Sequence, residues 1–106
     1  MDYRFLNFKL TKYATKERLA DNGFYRGNRK TVNVYKNLIQ LKMYIENDED
    51  NKPCFCYEVW DVCNCCFYYP YYTGSDNINL VLDEVRNNVK QELDKLIQAK
   101  ILRVFK

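Results

Sequence analysis

Five cysteines fall between residues 54 and 66 in the pattern C-x-C-x6-C-x-C-C, and they are the residues best equipped for chemistry in this chain. Four thiolates converging on a tetrahedron hold zinc, usually from C-x2-C knuckles whose tight turn aims both sulfurs at one ion. The spacing here is C-x-C, which on a strand places Cys54 and Cys56 side by side on one face. Folding Cys56 back onto Cys63 would centre a turn on Val59-Trp60, a poor turn pair. The expectation is reduced thiols that pack as small hydrophobes, weighed against a metal site and against disulfide or redox use. No metal site and no cofactor are assigned. A catalytic thiol would need a base, and the chain has no histidine. The nearest carboxylates, Glu58 and Asp61, would raise a thiol pKa rather than lower it. Asp61, between Trp60 and Val62, is expected to face solvent or cap a turn. No nucleotide-binding glycine loop or zinc-protease motif occurs, so no enzyme is expected.

Two further clusters suit binding rather than catalysis. Tyr68, Tyr69, Tyr71 and Tyr72 surround Pro70. Part of this run is expected to finish the core. Tyrosine also favours protein interfaces, because it offers a large contact area and one hydroxyl at low entropic cost. Aromatics beside cations also stack on nucleobases. Arg26, Arg29 and Lys30, around Gly27, form a basic turn that reads as a solvated loop or as a phosphate contact.

Composition bounds these readings. A chain of 106 residues with 47% hydrophobic and 29% charged residues suits one folded domain over residues 1–106 and argues against disorder. A net charge of +3 is mild for a nucleic-acid-binding domain. The charges are segregated, with Lys9, Lys12, Lys16 and Arg18 leading into the basic turn and Glu46, Asp48, Glu49 and Asp50 forming an acidic cluster. No apolar run approaches the length of a membrane helix, and the first ten residues do not read as a secretory signal, so a cytoplasmic location is expected.

The elements that must position these residues follow from periodicity. Residues 3–10 alternate weakly, as a short strand or an extended arm. Residues 15–23 read as a short helix, with Thr11 or Thr15 as cap and Asn22-Gly23 as a left-handed end onto which Phe24 folds back. Residues 25–30 are a turn or loop, followed by a strand over 31–35. Residues 38–46 form the clearest strand, with Ile39, Leu41, Met43 and Ile45 on one face and Gln40, Lys42, Tyr44 and Glu46 on the other. A polar loop over 47–53 leads to a third strand over 54–62. Asn64 marks a turn into a short fourth strand over 65–69, which Pro70 ends. Residues 73–76 form a capping loop. A helix over 77–99 carries Ile78, Leu82, Val85, Val89, Leu93 and Leu96 in one stripe. Residues 101–105 add an edge strand or tuck under the sheet. The predicted fold is α+β: three or four antiparallel strands, a short N-terminal helix, and a long C-terminal helix packed on one face.

The segment Arg18-Leu19-Ala20-Asp21-Asn22-Gly23-Phe24, then Tyr35, then Asp61 before Tyr69-Pro70-Tyr71-Tyr72 and a long amphipathic helix, resembles short uncharacterised proteins of Gram-positive phages and mobile elements. The likeness spans most of the chain but not the cysteine-rich segment. It implies a small protein that binds a host or phage protein, some such proteins being inhibitors of bacterial defence such as anti-CRISPRs. The leading reading is therefore a non-enzymatic binding protein acting through a protein interface built on Tyr68, Tyr69, Tyr71 and Tyr72. The alternative is a nucleic-acid-binding accessory protein that uses Arg26, Arg29 and Lys30 with the same tyrosines. A protein partner is expected, no membrane partner is, and self-association is a further option.

Overall fold

The Ile39/Leu41/Met43 stripe needs an apolar partner, and the C-terminal helix supplies it. The computed structural model describes residues 3, 6–26, 28–73 and 80–105. In chain order these form β1 (Asn7–Leu10), α1 (Lys16–Asp21), β2 (Arg29–Tyr35), β3 (Ile39–Asn47), β4 (Pro53–Asp61), β5 (Cys66–Phe67), α2 (Tyr69–Thr73), α3 (Leu80–Gln98) and β6 (Leu102–Phe105). β2, β3, β4 and β5 make one antiparallel sheet in that order, while β1 and β6 pair as a separate antiparallel ribbon. The protein is α+β, as the element pattern predicts.

The sheet has an inner and an outer face. Val34, Ile39, Leu41, Met43, Phe55 and Val59 are buried on the inner face. They meet Leu82, Val85, Val89, Leu93 and Leu96 of α3, all buried in one helical stripe. Each such side chain contributes about 1.5–3 kcal/mol on leaving water, so this seam is the main support of the sheet. The Asn88 amide of α3 donates to the Val34 carbonyl at 2.8 Å, beside the register shift in β2. One group in this layer is paired poorly: Nε and Nη2 of Arg86 are buried without a hydrogen-bond partner.

The helix ends follow sequence logic. The Thr15 hydroxyl accepts the Arg18 N–H at 3.3 Å and caps α1. At its other end Gly23 takes a φ of +92°, and the Phe24 N–H donates to the Leu19 carbonyl at 2.9 Å. Phe24 folds back into the core as expected. α3 ends the same way, with Lys100 at φ 63° and the Ile101 N–H returning to the Leu96 carbonyl at 3.0 Å. Arg18 donates to the Ala99 carbonyl at 2.6 Å and the Thr11 hydroxyl donates to the Lys100 carbonyl, so α1 and its approach cap the C-terminus of α3.

Several expectations need correction. β2 begins at Arg29, because Arg29 and Lys30 pair with Tyr44 and Met43; these two cations stand on a strand rather than in a turn. The fourth strand is confined to Cys66–Phe67, and the tyrosine run after it is a helix. Proline suits a first helical turn, where its missing N–H would have no intrahelical acceptor. The run therefore follows a period of 3.6 and not 2. Thr73 ends α2 instead of opening a loop. The predicted loop residues 74–76 and the predicted first turn of the long helix, 77–79, lie outside the described residues, as does Gly27. Residues 7–10 and 102–105 join neither edge of the main sheet; they pair with each other, and β1 packs against β4 with Phe8 edge-on to Tyr57.

Candidate interaction surface

Strand alternation sends a second set of side chains to the outer face of the sheet. Arg29, Lys42, Tyr44, Glu46, Glu58 and Trp60 stand there, with Cys54 and Cys56 beside them and Phe67 opposite Trp60. None of these residues is buried, and every fully buried residue of the sheet lies on the other face. An antiparallel sheet tolerates one solvated face, but that face is normally polar. This one carries an aromatic ridge. Trp60 and Phe67 meet edge to face at 5.6 Å between centroids, and Phe67 and Tyr72 meet at 5.8 Å. The Lys42 ammonium lies 4.6 Å from the Trp60 ring centre, a cation–π contact.

The four tyrosines of the run do not share a surface. On a short helix, residues three apart share a side, so Tyr69 and Tyr72 turn one way while Tyr68 and Tyr71 turn another. Tyr69 is 59% exposed and Tyr72 is 42% exposed, whereas Tyr71 is 2% exposed. Tyr71 is core: its hydroxyl pairs with that of Tyr57 at 2.9 Å, and its ring is edge-on to Tyr57 and Tyr72. Tyr68 is half-buried against the core, and burial, then the Asp61 charge, pushes its pKa up. Tyr72 presents its ring to solvent while its hydroxyl accepts the Val59 N–H at 2.9 Å. The Tyr68 N–H donates to the Val59 carbonyl at 2.8 Å, so the run also closes the β4 edge beyond the short β5. Of the expected interface residues, Tyr71 is thus corrected to a core residue.

The basic trio is divided as well. Arg26, at φ 54°, lies near the exposed Tyr25 ring, with Arg29 on the same rim. Lys30 points to the inner side and meets Glu92 of α3 at 3.8 Å, with its stem over Gly23. Strand alternation separates neighbours 29 and 30 onto opposite faces, so the three cations cannot grip one phosphate. The outer face is balanced in charge, because Glu46 and Glu58 accompany Arg29 and Lys42. Around them lies a shallow depression of about 350 Å³ lined by Arg29, Thr31, Lys42, Tyr44, Glu46 and Glu58. The Tyr44 hydroxyl donates to Glu58 at 2.8 Å, and burial followed by this bond raises the tyrosine's pKa.

Asp61 caps the turn after β4, as expected for a carboxylate in that position. It accepts from the Asn64 N–H at 3.2 Å and the Asn64 amide at 2.7 Å, and these bonds hold its pKa below the ordinary value. All five cysteines are free; Cys63 and Cys65 are exposed in that turn, and Cys54, Cys56 and Cys66 are half-buried. Among the described residues no group of three or more His, Cys, Asp or Glu converges as a metal site would require.

The contributions of Trp60 and Phe67 were accessible in principle. Phe55, Tyr57 and Val59 alternate with Cys54, Cys56, Glu58 and Trp60, and once the first set is assigned to the core the second must face outward. The position of Phe67 beside Trp60 depended on the β4–β5 register, which the turn at Asn64 sets. Among the described residues no helix is long and apolar enough to cross a membrane. Compared with known proteins, the chain matches no family model, no curated protein and no solved structure.

Proposed function

We propose that this chain is a non-enzymatic binding protein that engages a protein partner through the outer face of its sheet. One observation carries the reading: a solvated sheet face holds a contiguous Lys42–Trp60–Phe67–Tyr72 ridge, where a strictly polar face would serve solubility better. Tyr69 extends the aromatic surface at the α2 end. Aromatic rings flanked by paired charges suit an interface with an apolar centre and a polar rim. The likeness to small phage and mobile-element proteins points to a host or phage protein as the partner, and inhibition of a host defence component, as by an anti-CRISPR, is the form such binding would take. Action is cytoplasmic in this reading.

The nucleic-acid alternative has less support. Lys30 faces away from Arg29, and two carboxylates share the face with its two cations, so a phosphate backbone would meet little net positive potential. The test is capture of a partner by the tagged protein from its native host, followed by affinity measurement with Trp60→Ala, Tyr69→Ala and a control off this face, Glu84→Ala on the exposed side of α3. Loss of at least about tenfold in affinity for the first two, with unchanged far-ultraviolet circular dichroism, supports the reading. Tight, steeply salt-dependent binding of single-stranded DNA or RNA, weakened by Lys42→Ala and Arg29→Ala, would replace it with the alternative.

A further inference from the structure

The two ends of the chain meet beside the last turn of α3 and leave an open groove of about 580 Å³ there. Its floor is apolar, made by Leu10 of β1, Ile97 of α3 and Leu102 of β6, and the exposed ring of Tyr13 also lines it. Lys12, Lys100 and Arg103 stand exposed around that floor, and none of the lining residues is acidic. These cations differ from those on the rest of α3. Lys30 meets Glu92, Lys95 meets Glu92 and Lys90 meets Asp94, whereas among the described residues no carboxylate pairs with Lys12, Lys100 or Arg103. The carbonyls at the negative end of α3 do not serve them either: Arg18 occupies that of Ala99 at 2.6 Å, and the Thr11 hydroxyl occupies that of Lys100. Arg103 stands directly across from Lys9, and like charges directly opposite on an antiparallel pair repel. An anion at the groove would lower that repulsion. The charge alone would suit phosphates, but an apolar floor gives a phosphate backbone nothing to contact. The chain's own acidic cluster, Glu46, Asp48, Glu49 and Asp50, has the right charge but no apolar side chain among its acids to fill the floor. The concave shape suits a rod-like segment better than a flat lipid surface.

We propose that the groove between the β1–β6 ribbon and the end of α3 docks an acidic amphipathic segment of a protein partner. Apolar side chains on one face of the segment fill the space over Leu10, Ile97 and Leu102, and its flanking carboxylates meet Lys12, Lys100 and Arg103. Charge complementarity fixes the class of partner, and the apolar floor distinguishes it from a simple polyanion. None of these residues belongs to the aromatic ridge on the outer sheet face, so the groove is a second interaction surface and does not depend on the first.

The test is a fluorescence-anisotropy titration of the full chain against a labelled synthetic peptide with leucines at i, i+3, i+4 and i+7 spacing and glutamates at its other positions. A twin peptide carries lysine in place of every glutamate. The acidic peptide should bind at least about tenfold more tightly than its twin. The double variant K12E/R103E should weaken it at least about tenfold, and Ile97→Ser and Tyr13→Ala each at least about threefold. R26E/K36E, which makes the same charge change outside the groove, and Trp60→Ala, on the outer sheet face, should leave binding within about twofold of wild type. Trp60→Ala thereby separates the groove from the outer face, so either reading can fail alone. Absence of acidic-peptide binding by the wild type would overturn the proposal, as would equal weakening by R26E/K36E and K12E/R103E. Insensitivity to both Ile97→Ser and Tyr13→Ala would reduce the groove to a polyanion site. Tighter binding of single-stranded DNA, or of phosphatidylserine vesicles, through Lys12 and Arg103 would replace the protein segment with that ligand. Self-association abolished by K12E/R103E would assign the groove to a second copy of the chain. Circular dichroism of each variant separates loss of a contact from loss of the fold, and the exposed Tyr13 keeps the apolar side testable if Ile97→Ser unfolds.

Discussion

Replacing Tyr71 with alanine should unfold much of what replacing Tyr69 leaves untouched, although the two residues flank the same proline. Tyr71 is 2% exposed and lies between Tyr57 and Tyr72, with centroids 6.4 and 5.3 Å away. Truncating a buried aromatic to alanine costs about 3–5 kcal/mol, from lost transfer energy and the cavity left behind. The hydroxyl pair with Tyr57 at 2.9 Å accounts for a smaller share, so Tyr71→Phe should cost only about 0.5–1.5 kcal/mol. Tyr69 is 59% exposed, and Tyr69→Ala should stay within about 0.5 kcal/mol of wild type. The measurement is urea unfolding followed by circular dichroism and by Trp60 fluorescence, with thermal melts alongside. At about 4–8 °C per kcal/mol for a domain near this size, Tyr71→Ala should lower Tm by at least about 12 °C. If Tyr71→Ala costs under about 1 kcal/mol, or Tyr69→Ala costs as much as Tyr71→Ala, the helical phase assigned to 69–73 is wrong and the division of the tyrosines between core and surface collapses.

Two other perturbations probe the opposite layer. Arg86→Met keeps the aliphatic stem and removes two buried, unpartnered donors; equilibrium unfolding should show stability unchanged or raised by up to about 3 kcal/mol, and a clear loss would mean that the guanidinium is held by favourable contacts. The Tyr3 hydroxyl donates to Asp94, and this bond, then Lys90 at 3.2 Å, holds the Asp94 carboxyl below its ordinary range. A carboxylate with a depressed folded-state pKa stabilises above its unfolded value of about 3.9 and loses that contribution as pH falls through the folded value. The stability difference between wild type and Tyr3→Phe should therefore be constant near neutrality and shrink below about pH 4; a difference that grows on acidification would contradict the assignment.

The order of most elements was legible in the sequence because short-range physics decides it. Thr15, Gly23 and Phe24 act within one helix end; Ile39, Leu41 and Met43 declare a strand through their period of two; Leu82 to Leu96 declare a helix through a period near 3.6. The α+β class followed from those local signals. The residues that form the candidate surface were decided elsewhere. Tyr68 and Tyr69 read as the end of a strand that Pro70 stops, and only docking against α3 and the open β4 edge fixed a helix over Tyr69–Thr73 that buries Tyr71 and exposes Tyr69. Lys30 looked like the neighbour of Arg29 in a loop until pairing with Met43 turned it toward Glu92. The β1–β6 ribbon joins the two ends of the chain, a contact between residues about as far apart in sequence as the chain allows, and no local pattern encodes it. Local periodicity says which side of an element is apolar; which element covers that side, and which face stays in water, is settled by packing between segments distant in sequence.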